Sequence, residues 1–348
     1  MNRKSFLSSL ITTGAVLSAG DSWSATPPPA LSLPALQYQK PGNIPPYLKP
    51  GDTIGITSPA GYISLMEIRG SVQLMESWGF KVQIGRSVGK KDFTYGGTDA
   101  ERAADLQQML DNPEIKAVMC ARGGYGLVRI IDLISFKSFV KQPKWVIGFS
   151  DVTVLHAHIH QNFGIATLHS KMCNSFPDDW TTAEPVQIST ILSIRQALTG
   201  EDFKYTLAAA GANRSGRGQG QLIGGNLSII ESVAGTGSDI QTKGKILFVE
   251  DTGEYLYTID RMFWSLKRRG KLSQLAGLVI GGFKLKPDDP GEEFGKTIEE
   301  IVMEKVSGYD YPVCFGFPVG HQRNNMAMKC GAAHILEVNA GGAALRSL

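Results

Sequence analysis

Trp145-Val146-Ile147-Gly148-Phe149-Ser150-Asp151-Val152-Thr153 sets an apolar strand directly against a turn and a helix start. Trp145, Val146 and Ile147 carry no polar alternation, which is the pattern of a strand buried on both faces. Gly148 permits a sharp turn, Ser150 falls at its apex, and helical spacing follows from Asp151 to His160. A serine at a strand-to-helix turn holds its hydroxyl at the C-terminal edge of a sheet, where the N–H groups opening the helix face whatever it attacks. That is the arrangement of a nucleophile elbow, with Val152 standing where the second glycine of Gly-x-Ser-x-Gly would be. An ordinary Ser-Asp helix cap uses the same residues, so two readings stand at this point.

The alternation extends outward on both sides. Asp52 to Pro59 reads as a strand ending in a turn, Ile63 to Trp78 as a helix and Lys81 to Ile84 as a second strand. Thr98-Asp-Ala-Glu101 is a capping box opening a helix that carries Leu106, Met109 and Leu110. Ile115 to Ala121 is a third strand, running into Arg122-Gly123-Gly124-Tyr125-Gly126 and a helix over Leu127 to Ile134. Ile165 to Leu168 and a helix from Glu184 to Leu198 follow the Ser150 unit. Strands alternating with helices predict an α/β fold built on a parallel sheet, whose ligands sit beyond the C-terminal strand ends. Ser150 and the glycine loop both fall there. Gly123 and Gly124 let backbone N–H groups approach a bound group closely, as oxyanion donors must. Phosphate is the weaker reading, because neither Gly-x-x-x-x-Gly-Lys-Ser nor Gly-x-Gly-x-x-Gly is present.

At 348 residues the chain has room for two domains, and 42% hydrophobic with 19% charged residues is a globular composition. A formal charge of +3, from 35 basic and 32 acidic residues, gives no reason to expect a nucleic-acid partner. Arg3 and Lys4 precede an apolar run from Phe6 to Gly20 and small residues to Ala25, the form of a cleaved export signal over residues 1–25. The apolar run is short for a membrane span, so no stable insertion is expected after cleavage and the mature chain is placed in the periplasm. Arg3-Lys4 resembles a twin-arginine signal with one replacement, which leaves the export route open. Residues 26–48 are a proline-rich lead-in, 49–207 the first domain, 208–220 a Gly/Ser-rich linker and 221–348 the second domain. Cys120, Cys173, Cys314 and Cys330 lack Cys-x-x-Cys spacing; buried free thiols are favoured over an oxidised pair such as Cys314 with Cys330.

In the second domain Gly224-Gly-Asn226 caps a helix, and Lys245 to Glu250 is a buried strand ending in a carboxylate. Helices are expected over Thr258 to Lys271 and Glu292 to Val306, strands over Leu278 to Gly281 and Pro312 to Phe315, and closing strands from His334 to Leu345. Serine hydrolysis needs a base and a carboxylate to hold it. His156 and His160 have metal-ligand spacing on one helix, but without His-Glu-x-x-His a polar helix face is favoured and no metal is assigned. His169 ends a strand beside Ser150 and is a pocket-wall candidate; His334 reads as structural. His321 lies in the polar, Gly-rich loop Gly316 to Asn325 after a strand, where a base is well placed. Ser150, Glu250 and His321 then give the chain order Ser…Glu…His. Arg122 and Arg323, near the glycine loop and in the His321 loop, are surface or structural arginines or candidate partners for a substrate carboxylate.

These pieces resemble the LD-carboxypeptidase family of serine peptidases, the muramoyltetrapeptide carboxypeptidase type, from about Lys49 to the C-terminus. The resemblance rests on Gly51-Asp-Thr-Ile, Gly97-Thr-Asp-Ala-Glu-Arg, Ala121-Arg-Gly-Gly-Tyr-Gly, Gly148-Phe-Ser-Asp-Val-Thr, Gly224-Gly-Asn-Leu, Val249-Glu-Asp-Thr-Gly-Glu-Tyr, Ile259-Asp-Arg-Met and Phe317-Pro-Val-Gly-His. It implies a first domain like the class I glutamine amidotransferases and a second of swivelling β/β/α type. It also implies Ser150 as nucleophile, His321 as base, Glu250 as its carboxylate, and the backbone N–H groups of Gly124 and Asp151 as oxyanion donors. The implied activity is release of the terminal D-alanine from peptidoglycan tetrapeptides, with no metal or organic cofactor and with a homodimer as the assembly. One alternative within the family is a microcin-immunity-type peptidase cleaving peptidyl or aminoacyl nucleotides, with Trp180 as a platform for the base. Another is a non-catalytic muropeptide-binding protein. Where the family commonly has Gly-Pro after the residue at His169, this chain has Ser170-Lys171.

Overall fold

The structure, a computed structural model, describes residues 43–348 except 203 and 209. The export segment and most of the proline-rich lead-in lie outside the described residues. The first half runs β1 (Thr53–Thr57), α1 (Arg69–Ser77), β2 (Lys81–Ile84), α2 (Asp99–Asp111), β3 (Ile115–Cys120), α3 (Leu127–Ile130), α4 (Lys137–Lys141), β4 (Trp145–Gly148), α5 (Thr153–Phe163), β5 (Thr167–His169) and α6 (Pro185–Thr199). The remainder is β6 (Lys204–Ala208), β7 (Gly216–Asn226), α7 (Leu227–Ser232), β8 (Ile246–Thr252), α8 (Leu256–Arg268), β9 (Gly277–Lys284), α9 (Ile298–Val306), β10 (Val313–Cys314), β11 (Met328–Cys330), β12 (Ala333–Asn339) and β13 (Gly342–Ser347).

The apolar runs make a sheet ordered β11-β5-β4-β3-β1-β2, parallel throughout except for β11 at one edge. Both faces are covered, as a parallel sheet requires. Ala117, Met119, Trp145 and Ile147 pack to one side with Ile191, Ile194 and Leu198 of α6. Val118, Cys120 and Val146 pack to the other, with Leu106 and Met109 of α2 and Val154 and Ile159 of α5. The capping box predicted at α2 is formed, Thr98 and Glu101 each receiving the other's backbone N–H.

The second sheet is ordered β10-β9-β8-β7-β12-β13-β6. Its β7–β10 part is parallel and covered by α7, α8 and α9, while β12, β13 and β6 continue it as an antiparallel meander. The hydrophobic cluster containing Ile259, Phe263 and Ile301 is the same one that contains Val146 and Val154, so one core runs through both halves.

Four details differ from the sequence reading. The end of the proposed linker at 208–220 is strand: Gly216 to Gln221 of β7 pair with β12, and Leu222 to Asn226 pair with β8. Its glycines at 216, 218 and 220 belong to packing, a side chain on Gly218 colliding with the Ala276 carbonyl, whereas Gly211 has open space around it. The halves also interleave, because β11 comes from near the C-terminus yet completes the first sheet. Two helices are shorter than their apolar spacing suggested. Residues 65–68 form turns before α1, and α9 begins only after Thr297, whose side chain and that of Glu300 form a capping box.

Candidate active site

Ser150 stands between β4 and α5 with φ 62, in the left-handed region that disfavours a side chain. A serine held there stores about 1–3 kcal/mol of strain, supplied by the packing around it. Val152, in place of the expected second glycine, is buried against Gly148, where an added carbon would come within 2.8 Å of Val152 Cγ2. His156 ties down the same turn. Its Nε2 donates to the Gly148 carbonyl at 2.9 Å, and its Nδ1 accepts from Thr167 Oγ1 at 2.8 Å. Burial lowers the His156 pKa to about 4, so the ring is neutral.

The helix-cap reading of Ser150 fails, because neither the short 3-10 turn Ser150–Val152 nor α5 has a side-chain cap. Asp151 turns inward instead, and its Oδ2 accepts from Leu127 N at 2.8 Å, which fixes the end of the glycine loop to the elbow. Burial raises the Asp151 pKa to about 6. Gly123 lies against Ser150, where a side-chain carbon would be 3.0 Å from Ser150 Cβ, so Gly124 is the next peptide along. Arg122 is exposed, with Nη1 donating to the Tyr62 carbonyl at 3.2 Å.

Alternation along β8 decides where Glu250 goes. Ile246 and Phe248 face the cluster containing Phe317 and Val319, whereas Leu247 and Val249 face the helices. Glu250 follows the first set, at a register irregularity beside β9, and is fully buried. Its Oε2 accepts from His321 Nδ1 at 2.6 Å and from His321 N at 3.1 Å. Asp251 takes the opposite face, accepting from Ser228 N at 2.8 Å and Asn226 Nδ2 at 3.1 Å at the start of α7. The His321 loop rests on β9 through Gly282 N to the Val319 carbonyl, 2.8 Å, and Gly320 N donates to Asn325 Oδ1 at 2.8 Å. Gly320 has φ 101, and an added carbon there would lie 2.6 Å from Glu250 Cγ.

Phe149 joins the two clusters. Its ring is 4.9 Å from that of His321, centroid to centroid, and it immediately precedes Ser150. No hydrogen bond links Ser150 to His321 among the described residues. With Nδ1 engaged by Glu250, the Nε2 of His321 is the ring nitrogen left for a substrate-side proton. His169 is fully buried beneath Phe149, 5.8 Å from its ring and 5.1 Å from Phe248, so it supports the floor and is not on a pocket wall. Desolvation above all, with the neighbouring imidazoles of His156 and His321 and the Lys171 ammonium also disfavouring a charge there, holds its pKa well below the usual histidine value.

Beside this cluster lies a cavity of about 420 Å³ bordered by Lys171, Glu184, Gln187, Thr190, Ile191 and Arg323. Lys171 Nζ donates to the Gln322 carbonyl at 2.8 Å and sits 5.4 Å from the Phe149 ring centroid. Arg323 pairs with Glu184 at 2.8 Å. Trp180 is partly buried against the core of the first sheet. Sequence reasoning missed Phe149, Gly320 and Asn325 as parts of the site, although Gly-His and Phe-Ser were the dipeptides that could have flagged two of them.

The histidines of α5 do not form a polar face. His156 and His160 are buried because α5 packs between the two sheets, and His160 Nε2 accepts from Lys245 Nζ at 2.7 Å. All four cysteines are free and buried, and desolvation raises the thiols of Cys173, Cys314 and Cys330 to about 12.

Residues 54–170 match the LD-carboxypeptidase N-terminal domain, and residues 219–336 match the LD-carboxypeptidase C-terminal domain. A probable murein peptide carboxypeptidase of Bacillus subtilis is 36% identical over 259 residues, covering 74% of this chain and 80% of the relative. The microcin C7 self-immunity protein MccF of Escherichia coli is 26% identical over 279 residues, covering 73% of this chain and 80% of the relative. The crystal structure of muramoyltetrapeptide carboxypeptidase from Oxalobacter formigenes superposes with a TM-score of 0.74 at 26% identity, covering 85% of this chain and 98% of that one.

Proposed function

The chain belongs to the LD-carboxypeptidase family, a family of serine peptidases, and from that premise we propose that it releases the terminal D-alanine from peptidoglycan tetrapeptides. The observation that carries the reading is the buried Glu250 carboxylate bound to His321 Nδ1 at 2.6 Å, with the strained Ser150 next to the ring on which His321 rests. Ser150 Oγ attacks the carbonyl of the residue before D-alanine and gives its proton to His321 Nε2. Glu250 holds the imidazole in the Nδ1–H tautomer and stabilises the imidazolium that forms. The oxyanion is met by the N–H groups of Gly124 and Asp151, fixed dipoles aimed at developing charge. His321 then protonates the departing amine of D-alanine, and water enters by the reverse route to release the shortened peptide.

The charge and apolar run of residues 3–20 support delivery of this activity to the periplasm, where such peptides meet the enzyme outside the cytosol. The test is mass spectrometry of muramyl tetrapeptide after incubation, with the parent protein and with Ser150→Ala. Loss of one alanine by the parent, abolished on the order of 10⁴-fold or more in the variant with binding retained, is expected. An untouched tetrapeptide beside a cleaved nucleotide conjugate would assign the microcin-immunity reading. Binding without turnover in both proteins would assign a muropeptide-binding protein.

A further inference from the structure

An exopeptidase must bind a carboxylate lying one residue past the scissile bond, a reach of about 3.5 Å in extended chain. The counter-charge therefore has to stand beside Ser150 and His321. Three cations border that region, and they differ in what already occupies them. Arg122 is exposed and engaged with the Tyr62 carbonyl. Arg323 already faces Glu184, and its side chain is 77% exposed, so water screens its charge. Lys171 is half-buried and, among the described residues, no carboxylate is hydrogen-bonded to it, although the Glu250 charge acts on it from beyond contact.

The position of Lys171 is fixed from two sides. Its ammonium lies over the same Phe149 ring that His321 packs against, and it donates to the carbonyl of Gln322, the residue after His321. An ammonium has three N–H donors, and Gln322 accepts from one. The same side chain borders the 420 Å³ cavity, where Glu184, the one acidic lining residue among the described residues, pairs with Arg323.

We propose that Lys171 is the anchor for the terminal carboxylate of the substrate, receiving it in the cavity between residues 171–191 and the His321 loop. This rests on the peptidase reading above and names the group that selects a free C-terminus. Desolvation lowers the Lys171 pKa and the Glu250 carboxylate offsets this only in part, so an arriving carboxylate adds counter-charge to a partly buried ammonium.

The test uses the full chain carrying Ser150→Ala, so that ligands bind without turnover, alone and combined with Lys171→Met or Lys171→Gln. Calorimetry compares a tetrapeptide ending in D-alanine with the same peptide as its C-terminal carboxamide. Ser150→Ala alone is expected to favour the acid by about tenfold to a hundredfold, the range of a charge-assisted hydrogen bond. Both Lys171 variants should lose that preference while holding the carboxamide within about twofold. Lys171→Gln keeps an N–H for the Gln322 carbonyl, so it separates charge from loop support. A preference that survives in both variants, or acid and amide weakened equally, overturns the assignment. Turnover of the tetrapeptide by the parent is measured alongside: no D-alanine release sinks the peptidase reading, whereas release with an unchanged preference sinks only Lys171.

Discussion

Replacing Gly320 with alanine is expected to disable the site while leaving the protein folded. The new methyl carbon would lie 2.6 Å from Glu250 Cγ and 2.7 Å from its Oε2, whereas carbon contacts are comfortable at about 3.5–4.0 Å. Glu250 cannot yield, because β8 is paired on both sides, with β7 and β9. The loop must therefore retreat by roughly 1 Å, which stretches the 2.6 Å contact between His321 Nδ1 and Glu250 beyond hydrogen-bonding range. A misplacement of about 1 Å costs on the order of 10² in rate, and full loss of the orienting carboxylate about 10⁴. The expected kcat loss lies between those figures, with about 1–3 kcal/mol of stability lost to the left-handed backbone. Gly316→Ala is the control. It lies in the same loop at φ 68 but has open space around it, so it should lose similar stability and keep its rate. Peptide turnover followed by chromatography and thermal melts by circular dichroism check both. A folded Gly320→Ala protein turning over within threefold of its parent would refute the dependence on the Glu250–His321 contact.

Two other outcomes follow from backbone and burial. Ser150→Gly should raise the melting temperature by roughly 2 °C while abolishing turnover, since glycine at φ 62 releases about 1 kcal/mol; a melting temperature at or below the parent's would mean that the elbow is unstrained. Stability should also fall as pH drops from 6.5 to 4. His156 and His334, lowered to about 4, and His160, lowered to about 3, are neutral when folded, so the unfolded chain takes up protons first across that window. Asp151 and Asp251, both raised to about 6, act with the opposite sign, favouring the folded state as they protonate, but with smaller shifts. His334→Asn should shrink the loss between pH 6.5 and 4 by about 3 kcal/mol, and an unchanged pH profile of the melting temperature would contradict this.

The parallel sheet and the places of Ser150, Glu250 and His321 were legible because each sits where an apolar run meets a glycine turn. Local sequence carries that signal. What escaped was decided by distant partners. The histidines of α5 look like a solvated face until a second sheet covers them, and Met328 to Cys330 become a strand only because β5 offers an edge. Glycines at 216–220 read as a flexible connection, since nothing in the chain announces the Ala276 carbonyl that excludes side chains there. The nearness of Lys171 to His321 depends on the Gln322 loop, 151 positions away, and no local pattern carries it.

The placement of β11 dictates an order of events during folding. Until residues 328–330 dock, β5 keeps one bare edge, and His169 at its end lacks its pairing residue Met328. A truncated chain would thus expose an unsatisfied backbone ladder beside a half-built elbow, a target for chaperones or self-association. Completion of the first sheet is in this way tied to one three-residue strand near the end of the chain.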